Sequence, residues 1–199
     1  MKIYDISQEV LGGEVYPGDP APQKRVLKSI AEGELYQLTA FEMCAHNGTH
    51  VDAPRHFIGD GKTVDEIALE AFVGKALVVE HQGALTAADA VAILEKARSR
   101  DGEAARRILI KGNATVTLEA AEVFAKADLL LLGNESQSVG PTDAPMAVHI
   151  ALLRAEVILL EGIRLGEVPE GVYFLSAAPL NLAGLEGAPC RALLIDMDQ

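Results

Sequence analysis

One window of twelve residues holds most of the side chains in this sequence that could bind a metal. Residues 46–57 contain three of the five histidines and an aspartate, in the pattern H-x3-H-x-D-x3-H. A glycine and a proline inside the window argue against a continuous helix, so we predict a loop that leaves a strand and folds back. Such a loop can turn His46, His50 and Asp52 toward one point, which suits a first-row divalent metal. His56 is then expected to stand beside the metal without binding it.

The alternatives to a metal site are less consistent with the pattern. Three imidazoles packed together without a metal would leave several ring nitrogens in need of partners. The sequence contains neither of the glycine-rich phosphate-binding motifs, nor the H-E-x-x-H signature of zinc proteases. Cys44 is a possible thiolate ligand, but alternation in the strand expected before His46 predicts that it is a small core residue.

Composition indicates a single domain, residues 1–199, with a large apolar core. The chain is 49% hydrophobic and 23% charged, and a chain of this length buries roughly 70% of its unfolded surface. Its net charge of −12 argues against nucleic acid or an anionic membrane as a partner. Two cysteines do not make a disulfide scaffold. With neither a signal peptide nor a long apolar run in view, we expect a cytoplasmic location.

Strand and helix patterns alternate along the chain and predict one α/β domain with a mixed sheet. A predicted half-buried strand at residues 36–45 leads into the histidine window, and a polar loop at residues 133–141 follows a buried strand, where ligands often bind. Strands are also predicted at residues 1–8, 76–80, 107–111, 129–132, 157–160, 172–176 and 191–196, and helices at residues 86–98, 117–127 and 145–155.

Two distant residues are candidates to complete the metal site. His149 lies in an otherwise apolar helical stretch, where burying an unpaired imidazole would be costly. Its alternative role is a hydrogen bond to a nearby backbone carbonyl. Glu161 ends a buried strand, so its carboxylate should emerge at the edge of the sheet, whereas Glu156 is expected on the opposite face. The alternative for Glu161 is an ordinary surface carboxylate.

Together these residues resemble the cyclase family of metal-dependent hydrolases, whose best-known bacterial members are the kynurenine formamidases. The central run of residues 46–56, H-x-G-T-H-x-D-x-P-x-H, looks like the family signature, and His149 and Glu161 stand at the separation of its distal ligands. Further similarity lies in the aromatic-Pro-Gly-Asp loop of residues 16–19, the Ser-rich loop of residues 136–139 and the tail at residues 179–195.

The resemblance implies a fold, a site and a chemistry. The fold would be the swivelling β/β/α domain of the family, usually a homodimer. His46, His50 and Asp52 would hold one metal ion, and Asp52 and Glu161 would bridge to a second ion that His149 also binds. His56 would be the catalytic acid/base. Zinc is the first expectation for both ions and manganese the second.

The resemblance leaves three functions to compare. The first is hydrolysis of an N-formyl aryl amide such as N-formylkynurenine, and the second is opening of another small amide, imide or lactone ring, as in isatin-hydrolase-like members. The third is a non-catalytic metal-binding scaffold, which would have no use for His56. In the formamidases a tryptophan packs on the aromatic substrate. This chain has no Trp and places Tyr16 there, as the expected substrate-binding residue.

Overall fold

The computed structural model describes residues 1–197, and a large mixed sheet forms its centre. The strands of this part of the chain are β1 (Lys2–Asp5), β2 (Gln23–Lys28), β3 (Leu38–Glu42), β4 (His50–Asp52), β5 (Val73–Glu80), β6 (Gly83–Leu85), β7 (Arg107–Lys111), β8 (Ala114–Val116), β9 (Leu131–Asn134), β10 (Ile158–Glu161), β11 (Gly171–Ser176), β12 (Gly187–Pro189) and β13 (Leu193–Asp196). The α-helices are α1 (Ala87–Arg100), α2 (Leu118–Ala125) and α3 (Met146–Arg154).

The main sheet has nine strands in the order β1-β13-β11-β5-β7-β9-β10-β4-β12. The four central strands β5, β7, β9 and β10 run parallel to one another, and the strands on both sides of them pair antiparallel. Strands β2 and β3 form a separate antiparallel hairpin, while β6 and β8 form a small parallel pair. The predicted α/β class with a mixed sheet is confirmed.

Apolar side chains cover both faces of the sheet. On β5, Leu77 and Val79 belong to the core cluster that contains the buried apolar residues of the three helices, and Ala76 and Val78 belong to the cluster on the other face. This is the pattern expected of a parallel strand buried on both sides. The cap predicted for α1 is also present, because Thr86 accepts a hydrogen bond from the Asp89 backbone.

The segment before the histidine window differs from its prediction. The strand expected at residues 36–45 is limited to β3, and it is largely exposed rather than half-buried because it pairs only with β2 and not with the main sheet. Cys44 follows this strand and is partly exposed, so its prediction as a core residue was wrong. Five short strands were not predicted: β2, β4, β6, β8 and β12.

The other predicted elements are present with shifted ends. The last strand begins at residue 193 rather than 191, and the buried strand expected at residues 129–132 is β9. Within residues 1–197, every helix is too short or too polar to span a lipid bilayer.

Candidate metal centre

Two paired strands place three of the predicted ligands on one face of the sheet. β4 pairs antiparallel with β10, and His50 lies directly opposite Glu161. Side chains two residues apart on a strand share a face, and cross-strand partners share it too. His50, Asp52 and Glu161 therefore project together, and they are exposed by only 1%, 1% and 3%.

The strand β4 corrects the prediction of a loop over this window. Residues 50–52 of the window are strand, while the residues before them form a loop, where Gly48 turns the chain at φ +71°, and Pro54–His56 form a short 3₁₀ turn after them. β4 forms because β10 and β12 lie on either side of it, and these partners are more than 100 residues away along the chain. Such pairing leaves no mark in the local sequence.

Helix α3 brings His149 to the same face. The His149 Nε2 atom lies 3.2 Å from Glu161 Oε1 and 3.7 Å from Asp52 Oδ2. The Nδ1–H group on the other side of the ring donates to the Pro145 carbonyl oxygen at 2.9 Å. The backbone hydrogen bond considered from sequence is thus present, and it leaves Nε2 directed at the two carboxylates.

His46 and His50 approach Asp52 from the loop and from β4. His46 Nδ1 lies 2.8 Å from Asp52 Oδ1, and His50 Nε2 lies 3.5 Å from the same oxygen and 3.4 Å from Glu161 Oε2. Nδ1–H of His50 donates to the Gly48 carbonyl oxygen at 3.0 Å. The structure therefore brings together the five residues that sequence reasoning singled out as ligands.

The ligand atoms fall into two adjoining groups that share Asp52. One group is His46, His50 and Asp52, the other is Asp52, His149 and Glu161, and within each group the atoms lie within 4.8 Å of one another. Cys44 belongs to neither group. In addition, Asp52 Oδ2 is buried and has no hydrogen-bond partner. An unpaired buried carboxylate oxygen is costly, so this set of imidazole and carboxylate donors fits a divalent metal.

The charges of the two acids hold protons on the neighbouring imidazoles. Burial lowers the pKa of His46, but the hydrogen bond and charge of Asp52 outweigh burial and raise it to about 9. Burial also opposes protonation of His149, and the hydrogen bond with Glu161 raises its pKa. Burial opposes ionisation of Asp52, but the hydrogen bond with His46 and the charges of His46, His50 and His56 outweigh burial and lower the pKa of Asp52. Asp52 and Glu161 thus stabilise positive charge on the groups around them.

His56 stands beside both groups without belonging to either. It ends the short 3₁₀ turn Pro54–His56, and its Nε2 atom lies 4.0 Å from Asp52 Oδ2. Its ring stacks on His46 with 4.1 Å between centroids. Burial, with the nearby His46 and His149, lowers the pKa of His56. The ring is therefore neutral near pH 7 and able to accept a proton.

A cavity of about 280 Å³ opens above these side chains. Tyr16 forms part of its wall, and the Tyr16 hydroxyl donates to the Thr142 carbonyl oxygen at 2.8 Å. Phe57 packs on the His149 ring, with 4.9 Å between centroids. The lining residues are Tyr16, Asp19, His46, His50, His56, Phe57, Gln137, Ser138, Pro145, His149 and Glu161.

Some residues of the site were not found by sequence reasoning. Gln137 and Ser138 line the cavity, and the sequence marked them only as part of a polar loop after a buried strand and of the Ser-rich loop in the family resemblance, not as site residues. Thr49 supports β4 from behind, since its hydroxyl accepts from the Gln8 backbone and donates to the Gly162 carbonyl oxygen. The position of Thr49 between Gly48 and His50 in the sequence does not predict this contact.

Comparison with known proteins identifies the family. The model of a family described as "Putative cyclase" matches residues 4–141, more than half of the chain. The chain belongs to the cyclase family. This cyclase-family protein is 35% identical over 213 aligned positions to a kynurenine formamidase from Salinibacter ruber (strain DSM 13855 / M31), with 98% of each protein covered. The resemblance inferred from the signature is confirmed.

Solved structures agree with this assignment. A protein described as a "potential metal-dependent hydrolase with cyclase activity" superimposes with a TM-score of 0.82 at 29% identity, over 100% of this chain and 99% of the other. Isatin hydrolase A from Labrenzia aggregata, bound to benzyl benzoate, gives a TM-score of 0.82 at 22% identity, over 97% and 93% of the two chains. That second similarity concerns the fold alone, and it supports the predicted cyclase-family fold.

Proposed function

We propose that this protein is a metal-dependent hydrolase that cleaves an amide C–N bond other than a peptide bond, with N-formylkynurenine as its leading substrate. Water would convert that substrate to kynurenine and formate. The observation that carries the proposal is the pair of ligand groups sharing Asp52 at the floor of the cavity. The 35% identity to a kynurenine formamidase over nearly the whole chain supports the choice of substrate.

The two groups of ligand atoms would hold two divalent ions. His46, His50 and Asp52 would bind one ion, and Asp52, Glu161 and His149 the other, with zinc the first candidate and manganese the second. When bound, such a pair of ions activates water and polarises a carbonyl oxygen. Burial of Asp52, Glu161, His50 and His149 keeps bulk water away from these charges and strengthens their interaction with the substrate.

His56 would move the proton in this reaction. Because its pKa is lowered, the ring is neutral near pH 7 and can accept a proton from the attacking water. The protonated ring can then give that proton to the departing nitrogen of the substrate. Its partial exposure, 29% of the side chain, leaves it accessible from the cavity.

Tyr16 would bind the aromatic part of the substrate. The hydrogen bond to Thr142 satisfies the phenol hydroxyl, so the ring can present its apolar face as a wall of the cavity. Phe57 offers a second ring near His149. A cavity of about 280 Å³ is at the small end of ligand sites, which suits one substituted aryl ring rather than a peptide.

We also propose that two copies of the chain form a homodimer through the hairpin β2–β3. Isolated two-stranded hairpins are marginal in water, yet this one exposes Leu35, Ile30 and Phe41 by 96%, 62% and 64%. The cations of strand β2 are balanced by the acids of the connection and of β3, and Lys28 pairs with Glu34 at 3.2 Å within the hairpin. The exposed apolar side chains are therefore the surface that a second copy would cover.

The substrate proposal is tested by comparing kcat/KM on N-formylkynurenine and isatin, with protein loaded with zinc or with manganese. Faster hydrolysis of N-formylkynurenine is the expected result. Preference for isatin would replace the formamidase assignment with the isatin-hydrolase-like one. Two bound ions without turnover of any small amide, imide or lactone would reject the enzyme and favour the metal-binding scaffold.

A further inference from the structure

In two of the proposed ligand histidines, the ring nitrogen that faces away from the acids donates a hydrogen bond to a backbone carbonyl oxygen. For His149 the acceptor is the Pro145 carbonyl oxygen, and for His50 it is the Gly48 carbonyl oxygen. Such outer contacts fix which ring nitrogen carries the proton and which can bind a metal. In both rings, Nδ1 carries the proton and Nε2 faces the carboxylates.

His46 is oriented the opposite way. Its Nδ1 atom is the one next to Asp52 Oδ1, at 2.8 Å, and its Nε2 atom lies 3.4 Å from Glu186 Oε1. This Nε2 atom is buried and makes no hydrogen bond that meets normal geometry. The 3.4 Å separation is longer than a good N–H···O bond, but Glu186 is 38% exposed and its side chain has room to move closer.

We infer that Glu186 is a positioning residue that accepts the Nε2–H of His46 and so makes Nδ1 the metal-binding nitrogen of that ring. The inference rests on the proposed metal centre. His46 would then have a hydrogen-bond acceptor for its non-ligating nitrogen, as His50 and His149 do, but this acceptor is a carboxylate rather than a backbone carbonyl. A charged acceptor makes a stronger hydrogen bond than a carbonyl and increases the basicity of the imidazole.

The backbone around Glu186 holds it against His46. The Glu186 carbonyl oxygen accepts a hydrogen bond from the Ala53 backbone at 2.8 Å, and Gly187 is the register partner of Asp52 on β4. A Cβ at Gly187 would lie 2.7 Å from both His46 Cε1 and the Val51 carbonyl oxygen. The histidine ring thus packs directly on the backbone that follows Glu186, which fixes their relative positions.

Zinc titration of the purified chain tests the role of Glu186. In Glu186→Ala we expect the affinity for one of the two zinc ions to fall by about 10- to 100-fold, the range typical of lost outer contacts, and the affinity for the other ion to stay unchanged. Glu186→Gln should recover part of the loss, because its amide oxygen can still accept the Nε2–H. Glu122→Gln, an exposed position on α2, removes the same charge and should leave both affinities as they were.

Long-range ¹H–¹⁵N NMR of the zinc-loaded protein reads the tautomer of His46 directly. Ligation through Nδ1 with a proton on Nε2 is the expected result. Ligation through Nε2, or an unchanged zinc affinity in Glu186→Ala, would overturn the role of Glu186 while leaving the metal centre in place. Failure of the wild-type chain to bind zinc or manganese would instead reject the proposed function, and this inference with it.

Discussion

Asp52 is the residue about which the other side chains of the site are arranged. One of its oxygens faces His46 and His50, and the other faces His149 and His56. Each oxygen thus serves one group of ligand atoms. A carboxylate can do this and a single imidazole nitrogen cannot, which is why an acid occupies the shared position.

His56→Ala should separate metal binding from turnover. The ring lies outside both ligand groups, so we expect the variant to bind the same number of ions as the wild type. Loss of the acid/base should reduce kcat by about 10²- to 10⁴-fold. Metal analysis and steady-state kinetics on the same preparation measure the two effects. Unchanged turnover would remove His56 from the mechanism.

The raised pKa of His46 makes metal binding depend on pH. Its folded-state pKa of about 9 means that the ring is protonated near pH 7, and the proton must leave before the nitrogen can bind a metal. Zinc affinity should therefore rise with pH by roughly tenfold per unit between about pH 7 and 9, then level off. Competition with a chelator at each pH gives the slope. An affinity independent of pH would contradict this proton displacement.

The sequence revealed these residues to different extents. His46, His50 and Asp52 are close in sequence, and crowded imidazoles are informative by themselves. His149 was found because an imidazole in an apolar helix needs a partner, and Glu161 because it ends a buried strand. Glu186 had no such signal, since its contact with His46 arises only when β12 pairs with β4.

At the scale of elements, the site depends on β4, a strand of three residues. All three residues are buried, and the strand is held between β10 and β12. Three residues are too few to show the alternation from which strands are predicted. The longer elements, such as α1 with its capping box and the apolar β7, carry their signal locally and were predicted from sequence.

Thr49→Val should loosen the support of β4. The buried hydroxyl satisfies both the Gln8 N–H and the Gly162 carbonyl oxygen, at 2.8 and 2.7 Å. Valine has the same shape but leaves both groups unpaired, so we expect a loss of about 2–4 kcal/mol in the free energy of unfolding. Urea denaturation measures it. As a control, Thr49→Ser keeps the hydroxyl and should cost only about 1 kcal/mol for the missing methyl group; equal losses in both variants would show that the hydrogen bonds contribute little.

At the scale of the whole molecule, the class of fold was predictable and the order of strands was not. Apolar strands alternating with amphipathic helices indicate a sheet covered by helices. The antiparallel additions at both sides of the sheet, including β1 beside β13, join the two ends of the chain. Local patterns do not encode such partners, because pairing depends on the packing of the complete sheet.

The hairpin β2–β3 exposes large apolar side chains to solvent, so its sequence does not match its exposed position. Its apolar side chains would normally be covered, and the main sheet does not cover them. If a second copy does, the wild-type chain should sediment at twice its mass of 21.1 kDa. A monomer at all concentrations up to about 100 µM would contradict the proposed dimer, since interfaces of standard size are usually stable well below that concentration.

Phe41→Glu is the variant that tests this surface. Phe41 is 64% exposed and lies opposite Lys24 in the hairpin, so the new acid gains a cross-strand partner and the hairpin itself should persist. In the dimer this carboxylate would have to lose its water against the apolar side chains of the second copy, which should raise the dimer dissociation constant by about 100-fold or more. Leu118→Glu is the matched control, because Leu118 is 41% exposed at the first position of α2, where an acid is favourable. Analytical ultracentrifugation should show Phe41→Glu as a monomer and Leu118→Glu as a dimer; dissociation of both would mean that added negative charge, rather than the hairpin surface, controls assembly.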